Sequence, residues 1–259
     1  MNQELLKKII EKKEFSKLPK KDVEIAFSKF DKKDLNDYQK LKLTRNFLRK
    51  IYSSFSSRKL LGNLDKDKDV EWILNKHKST KERLPYYKEI YERALKSIKN
   101  KTISIIDLGA GINGLSYSYF PIKVNYIGVE AIGQLVDLMN SYFVIGKIKA
   151  KAIQESLFEL EKIKELIKKE KSPKIIFLFK VIDSLEMMQR NYSKELLLKI
   201  VPLADRTVLS FATRSLGKRS KFSANRNWIV KFINENFSII DDFELGGERY
   251  LIFERKILS

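Results

Sequence analysis

The chain has no cysteine among its 259 residues and a single histidine, His77. The first absence excludes a disulfide framework, a thiol nucleophile and a cysteine-ligated zinc site. The second argues against a histidine metal centre or a Ser-His-Asp triad. Proline (5) and glycine (10) are sparse, whereas 16 Phe, 11 Tyr and a 43% hydrophobic content supply a packed core, so the chain is not disordered or low-complexity. Long apolar runs are missing as well. The richest, Ile175 to Phe179, is strand-sized and far below the ~18–20 residues of a membrane span. Met1-Asn2-Gln3-Glu4 opens an amphipathic pattern without the apolar segment of a signal peptide. The expectation is a soluble, cytoplasmic monomer that holds no metal.

Positive charge is what the chain has in excess. Lys and Arg total 52 against 33 Asp and Glu, a net +19, which favours polyanionic partners. Residues 1–100 carry 27 of those bases and 15 of the acids. Between Leu41 and Leu60 stand Lys42, Arg45, Arg49, Lys50, Arg58 and Lys59 with no acid, interleaved with Phe47, Tyr52 and Phe55. That combination fits a nucleic-acid face better than a merely solvated surface. Mixed stretches such as Glu161 to Lys171 fit the solvated surface.

Residues 1–99 read as helical, with apolar residues at helical spacing (Leu5, Leu6, Ile9, Ile10; Val23, Ile25, Ala26, Phe30; Leu41, Leu43, Phe47, Leu48, Ile51). Asp65-Lys66-Asp67-Lys68-Asp69 lacks the glycine and the closing glutamate of a calcium loop and reads as a solvated loop. Ser79 or Thr80 is expected to cap a helix running from about Lys81 to Ser97. From residue 100 onward the texture changes to strands alternating with helices. Strands are expected at Thr102–Leu108, Val124–Val129, Ile148–Ile153, Lys174–Phe179 and Arg206–Ala212, with Phe237–Ile240 and Tyr250–Phe253 closing as a hairpin. The expected fold is α/β: a parallel sheet covered on both faces, with an antiparallel edge (100–259), behind an all-helical domain (1–99).

In such a sheet ligands lie beyond the carboxyl ends of the strands. The first strand ends Asp107-Leu108-Gly109-Ala110-Gly111-Ile112-Asn113-Gly114, where glycines let the backbone approach a ligand. Gly109 to Gly114 also satisfies the dinucleotide pattern Gly-x-Gly-x-x-Gly. Asp107, two residues before the first glycine, instead suits the amino end of S-adenosylmethionine. Glu130 closes the second strand, where an acid reaches ribose hydroxyls, and Gln154-Glu155 closes the third, beside an adenine edge. Asp183 and Glu186 read mainly as helix-start acids, and Trp72 and Trp228 as core.

Two further segments carry a resemblance. His77-Lys78-Ser79-Thr80-Lys81-Glu82-Arg83-Leu84 precedes the first strand, and Thr213-Arg214-Ser215-Leu216-Gly217-Lys218-Arg219 follows the fifth. With Asp107 to Leu115 and Phe179-Lys180, they resemble the aminoglycoside-resistance methyltransferases that modify a guanine N7 in 16S rRNA. The resemblance spans most of the chain. It implies a Rossmann-like S-adenosylmethionine-dependent methyltransferase domain, with S-adenosylmethionine as cofactor, behind a basic helical domain that docks on the 30S subunit. It also implies that His77, Ser79 and Arg83 border the methionine end of the donor, with Arg83 facing the carboxylate. Gly109 and Gly111 would pass beneath it, Glu130 would take the ribose, Gln154 and Glu155 the adenine side, and Gln189 would lie nearby. Arg214, Lys218 and Arg219 would join the basic residues of the 41–60 stretch as RNA contacts.

The sequence departs from the family in three places. Gly109-Ala110-Gly111-Ile112-Asn113-Gly114-Leu115 stands for the usual Ala-Cys-Gly-x-Asn-Pro-Leu, Glu130 for an aspartate, and Gly246-Gly247-Glu248-Arg249 for a different string. A guanine N7 needs no general base, which suits a chain with one histidine and no thiol. Two alternatives stay open: methylation of a nearby adenine N1, and a non-catalytic ribosome-binding or assembly factor.

Overall fold

A computed structural model describes residues 3–53, 69–98, 102–213 and 226–256. The N-terminal region is helical: α1 (Gln3–Ile10), α2 (Lys20–Ser28) and α3 (Asp37–Leu48), followed by a π-helical turn over Arg49–Ser53. The start of α3 is written in the sequence. The Asn36 side chain accepts from the Gln39 amide at 2.9 Å while the Gln39 side chain accepts from the Asn36 amide at 3.0 Å, satisfying two N-terminal donors reciprocally.

After α4 (Val70–Leu74) the structure departs from expectation. The single helix anticipated from Lys81 to Ser97 is divided into α5 (Lys78–Arg83), a 3-10 turn at Leu84–Tyr86 and α6 (Tyr87–Leu95). Pro85, which has no amide to donate, falls in the tight turn. His77, not Ser79 or Thr80, holds the N-cap position. The Thr80 hydroxyl lies inside the helix and donates to the Leu74 and His77 carbonyls at 2.5 and 3.0 Å.

The remainder is β1 (Ser104–Leu108), β2 (Asn125–Glu130), α7 (Gly133–Ile145), β3 (Ala150–Gln154), α8 (Leu160–Lys169), β4 (Lys174–Phe179), α9 (Ile182–Met188), α10 (Tyr192–Ile200), β5 (Arg206–Ala212), α11 (Asn227–Asn236), β6 (Phe237–Leu245) and β7 (Glu248–Arg255). The sheet order is β3-β2-β1-β4-β5-β7-β6, with the first five strands parallel and β7 antiparallel to both neighbours. This is the parallel sheet with an antiparallel edge that the strand–helix alternation implied. The closing hairpin is longer than the apolar runs suggest, because polar residues on its outer face extend the ladder.

Side-chain alternation divides the interior in two. Ile105, Tyr126, Ile175 and Phe177 face a core shared with α1, α2, α6 and α7. Ile106, Leu108, Ile176 and Leu178 face α8, α9, α10 and α11. The first core is continuous from Leu5 and Phe15 to the sheet, so the helical region is packed on the sheet rather than tethered to it. Trp72 and Trp228, expected in the core, lie half-buried at the edges of the first and second core. Successive crossovers leave β1 toward β2 on one side and β4 on the other. That reversal opens a crevice at the carboxyl ends of β1 and β4.

Candidate active site

A cleft occupies that crevice, with about 790 Å³ of empty space when the solvent at its mouth is counted. Its floor is the β1 turn. Gly109 and Gly111 both adopt positive φ, +74° and +57°. A Cβ on Gly111 would stand 3.0 Å from two atoms of the His77 ring, a tight approach at a backbone angle that strains any side chain. Six of the ten residues expected at a donor site line the cleft: His77, Ser79, Arg83, Gly109, Gly111 and Glu130. Apolar walls come from Ile132, Leu135, Leu157, Phe158, Leu185 and Met188.

Glu130, at the end of β2, is 7% exposed and accepts from the Gly111 amide at 2.8 Å and the Ile132 amide at 2.9 Å, one on each oxygen. Burial pushes its carboxyl above the usual range, and those amides pull it back. Each oxygen keeps further lone-pair capacity. The longer side chain is thus the brace that ties the β1 turn to β2.

Asp107 is buried behind the cleft and is not part of its wall. Its Oδ2 accepts from Tyr126 and from the Asn113 amide, both at 2.7 Å, while Oδ1 has no hydrogen-bond partner. Asn113 is the hub the sequence reading passed over. Its Oδ1 accepts from Arg83 at 2.8 Å and from the Tyr87 hydroxyl at 2.9 Å, linking α5 and α6 to the strand end. Gln154 is turned out of the cleft toward the Lys17 and Ala131 carbonyls. Glu155 accepts from the Ser156 amide at 3.0 Å and pairs with Lys162 at 3.4 Å, and Gln189 is exposed at the end of α9.

A buried ion cluster closes the other side. Lys180, at positive φ after β4, pairs with Glu248 at 2.9 Å and Glu82 at 2.5 Å, and Arg83 lies 3.5 Å from the same Glu248. Glu248 also accepts from the Ser210 hydroxyl. Burial opposes the Arg83 charge, yet Glu248 and the hydroxyls of Tyr87, Tyr250 and Tyr91 hold its pKa above the ordinary value. Glu248 and Lys180 were not among the expected site residues. Only the Phe179-Lys180 string and the divergent Gly-Gly-Glu-Arg string marked their positions.

Burial drives the His77 imidazole down to about 3, helped by the Arg83 and Lys180 charges. An unfolded histidine takes its proton near pH 6.5. The stability from burying it neutral is therefore complete above pH 6.5 and is lost as pH falls toward 3. Unfolding free energy of the wild type should drop more steeply than that of His77→Gln between pH 6 and 4, by up to about 1.4 kcal/mol per unit. Parallel pH curves in urea titrations would contradict this.

The basic stretch is less open in space than in sequence. Lys42 is exposed, but Arg45 donates to the Lys8 carbonyl and Arg49 binds Glu14 through two donors at 2.7 and 2.9 Å. Lys50 is exposed at the end of this face. Arg58, Lys59, Arg214, Lys218 and Arg219 lie outside the described residues, as does nearly all of the acidic loop. Arg226 donates to the Ala212 carbonyl at 2.8 Å and pairs with Asp183 of α9 at 2.5 Å. Glu186 accepts from the Asn191 and Ser193 amides at 2.6 and 2.9 Å at the start of α10. Both acids thus act on helix or loop ends.

A family model described as ribosomal RNA methyltransferase (FmrO) matches residues 64–235. The chain belongs to this ribosomal RNA methyltransferase family. No curated protein matches it. Among solved structures it is similar to the 16S rRNA methyltransferase RmtF, in complex with S-adenosyl-L-homocysteine, at 20% identity and a TM-score of 0.76 over 99% of this chain and 100% of that one. The 16S rRNA methylase RmtB follows at 18% identity and 0.75, covering 99% of both chains. An rRNA methylase from Escherichia coli matches at 19% identity and 0.76, covering 98% and 99%. At these identities the likeness concerns the fold, and it runs the whole length, helical region included.

Within this rRNA methyltransferase, Gly114, where the resemblance leads one to expect proline, is closely packed. A Cβ there would lie 2.7 Å from Phe143 and 2.9 Å from Tyr126. Large aromatics occupy the space the proline would need, so the turn is packed rather than slack. Among the described residues no group of acids and His77 could hold a metal ion, and no helix is long and apolar enough to cross a membrane.

Proposed function

We propose that the chain moves a methyl group from S-adenosylmethionine to N7 of a guanine in the decoding region of 16S rRNA within the 30S subunit, and so confers aminoglycoside resistance. The observation that carries this reading is the cleft itself. A tightly packed glycine floor, a strand-end acid and a buried arginine delivered by α5 fit a nucleoside that carries an amino acid. Residues 1–99 would dock on the subunit and 100–259 would carry the transfer.

S-Adenosylmethionine, when bound, supplies a methyl made electrophilic by its sulfonium. Arg83, kept charged by Glu248, would hold the donor's carboxylate. Glu130 would accept from the ribose hydroxyls with the lone pairs left over from Gly111 and Ile132. Leu157, Ile132 and Leu185 would exclude water from the base. Guanine N7 is unprotonated at neutral pH, so no side chain need accept a proton, and the neutral His77 is not called upon as a base. The protein's contribution is placing N7 in line with the methyl. The target must be unstacked, at a cost of a few kcal/mol.

Folded rRNA presents many phosphates across a surface, which a basic helical face reads as shape. Intact 30S subunits should therefore be methylated far faster than naked 16S rRNA or a short hairpin. Expression in a susceptible bacterium should confer resistance to gentamicin and spare apramycin. Equal rates on a hairpin would contradict the docking role, and apramycin resistance would favour the adenine reading.

A further inference from the structure

The donor cleft has a wall that the sheet does not supply. Asp22 of α2, together with Ile51 and Tyr52 from the π-helical turn, lines it from the helical region. Asp22 is 2% exposed, its Oδ1 accepts from the Tyr52 hydroxyl, and its Oδ2 completes no hydrogen bond. A buried carboxylate oxygen without a donor is costly unless something fills the place. Burial raises the pKa of this carboxyl; the Ser156 hydroxyl, just after β3, bears on it as a donor without completing a well-formed hydrogen bond to Oδ2, and the neighbouring Glu155 charge opposes its ionisation. Asp22 thus sits at the β3 end of the cleft, one strand outward from Glu130.

Ribose at Glu130 puts the base on that side. Gln154 and Glu155 already spend their side chains on Lys17 and Ala131 carbonyls, the Ser156 amide and Lys162. The exocyclic amine of adenine is a donor and needs an acceptor, and Asp22 Oδ2 offers one in the wall. Resting on the donor-binding reading above, we propose that Asp22 accepts the exocyclic amino group of the donor's adenine, with Tyr52 fixing the carboxylate. The helical region then does more than dock. It completes the donor site, and donor binding reports on its seating.

The test is calorimetric titration of the full chain with S-adenosyl-L-homocysteine and with its 6-oxo counterpart, S-inosyl-L-homocysteine. The wild type should prefer the adenosyl compound about tenfold or more, because a carboxylate faces an oxygen in the other. In Asp22→Asn, which keeps the shape and the acceptor for Tyr52, adenosyl affinity should fall about tenfold. The inosyl compound should bind no worse, since the new amide can donate to its oxygen, so the preference collapses. Tyr52→Phe should lower adenosyl affinity several-fold and leave the inosyl compound unaffected. An unchanged preference in Asp22→Asn overturns the assignment. Should that variant fail to fold, a wild-type preference below twofold, or one untouched by Tyr52→Phe, overturns it equally. Wild type binding neither compound would overturn the donor reading, and this one with it.

Discussion

Glu248→Ala should lower the unfolding free energy by about 3–5 kcal/mol, the cost of leaving buried cations without their partner. Glu248 is 1% exposed and is the carboxylate shared by Arg83 and Lys180, themselves 3% and 8% exposed. Lys180 keeps Glu82 and Arg83 keeps Asn113 when the acid is removed, but both cations stay largely buried without their shared carboxylate, and Ser210 loses its acceptor as well. Glu248→Gln keeps the volume but not the charge, so most of the loss should remain. The neighbouring Arg249–Asp242 pair at 2.6 Å is the internal control, because both side chains are about one-third exposed. Arg249→Ala should cost under about 1 kcal/mol. Urea unfolding of the two variants side by side checks this, and comparable losses would contradict a buried cluster.

Glu130→Ala should weaken S-adenosyl-L-homocysteine binding by roughly 1.5–3 kcal/mol, about ten- to hundredfold, for loss of charge-assisted hydrogen bonds. The effect has two sources. The acid proposed to take the ribose disappears, and the Gly111 and Ile132 amides lose the acceptor that shapes the turn. Glu130→Asp separates them. The family's usual residue keeps an acid but is a methylene short of spanning both amides, so it should fall between wild type and Ala. Calorimetry showing wild-type affinity in Glu130→Ala would remove the assigned pocket.

The strands and the glycine turn were legible because their signals are local. Runs such as Lys174 to Phe179 are both apolar and β-branched, and a parallel sheet buries them on two faces, so pattern and structure coincide. Of the residues that the strand ends and the resemblance marked, His77, Ser79, Arg83, Gly109, Gly111 and Glu130 line the cleft, whereas Asp107, Gln154, Glu155 and Gln189 do not. The ion cluster was not legible. Lys180 meets partners 98 residues before it and 68 after it, and in a chain this rich in lysine no local feature distinguishes a buried lysine from a solvated one. Arg49 misled for the same reason: no acid lies near it in sequence, yet Glu14 reaches it across the helix pair. Asp22 was hidden too, since it reads as the acid of a helix first turn and acts on a strand end far along the chain. Pro85 was available to be read, and breaking the helix there required only that its missing amide be counted.

The most direct measurement of the central claim is the identity of the methylated nucleoside. Purified protein is incubated with 30S subunits and methyl-labelled S-adenosylmethionine, the 16S rRNA is digested, and the labelled nucleoside is identified by mass spectrometry. The account predicts 7-methylguanosine from a single position in the decoding region. Labelled 1-methyladenosine, or no labelled nucleoside from protein shown to bind the donor, would contradict it.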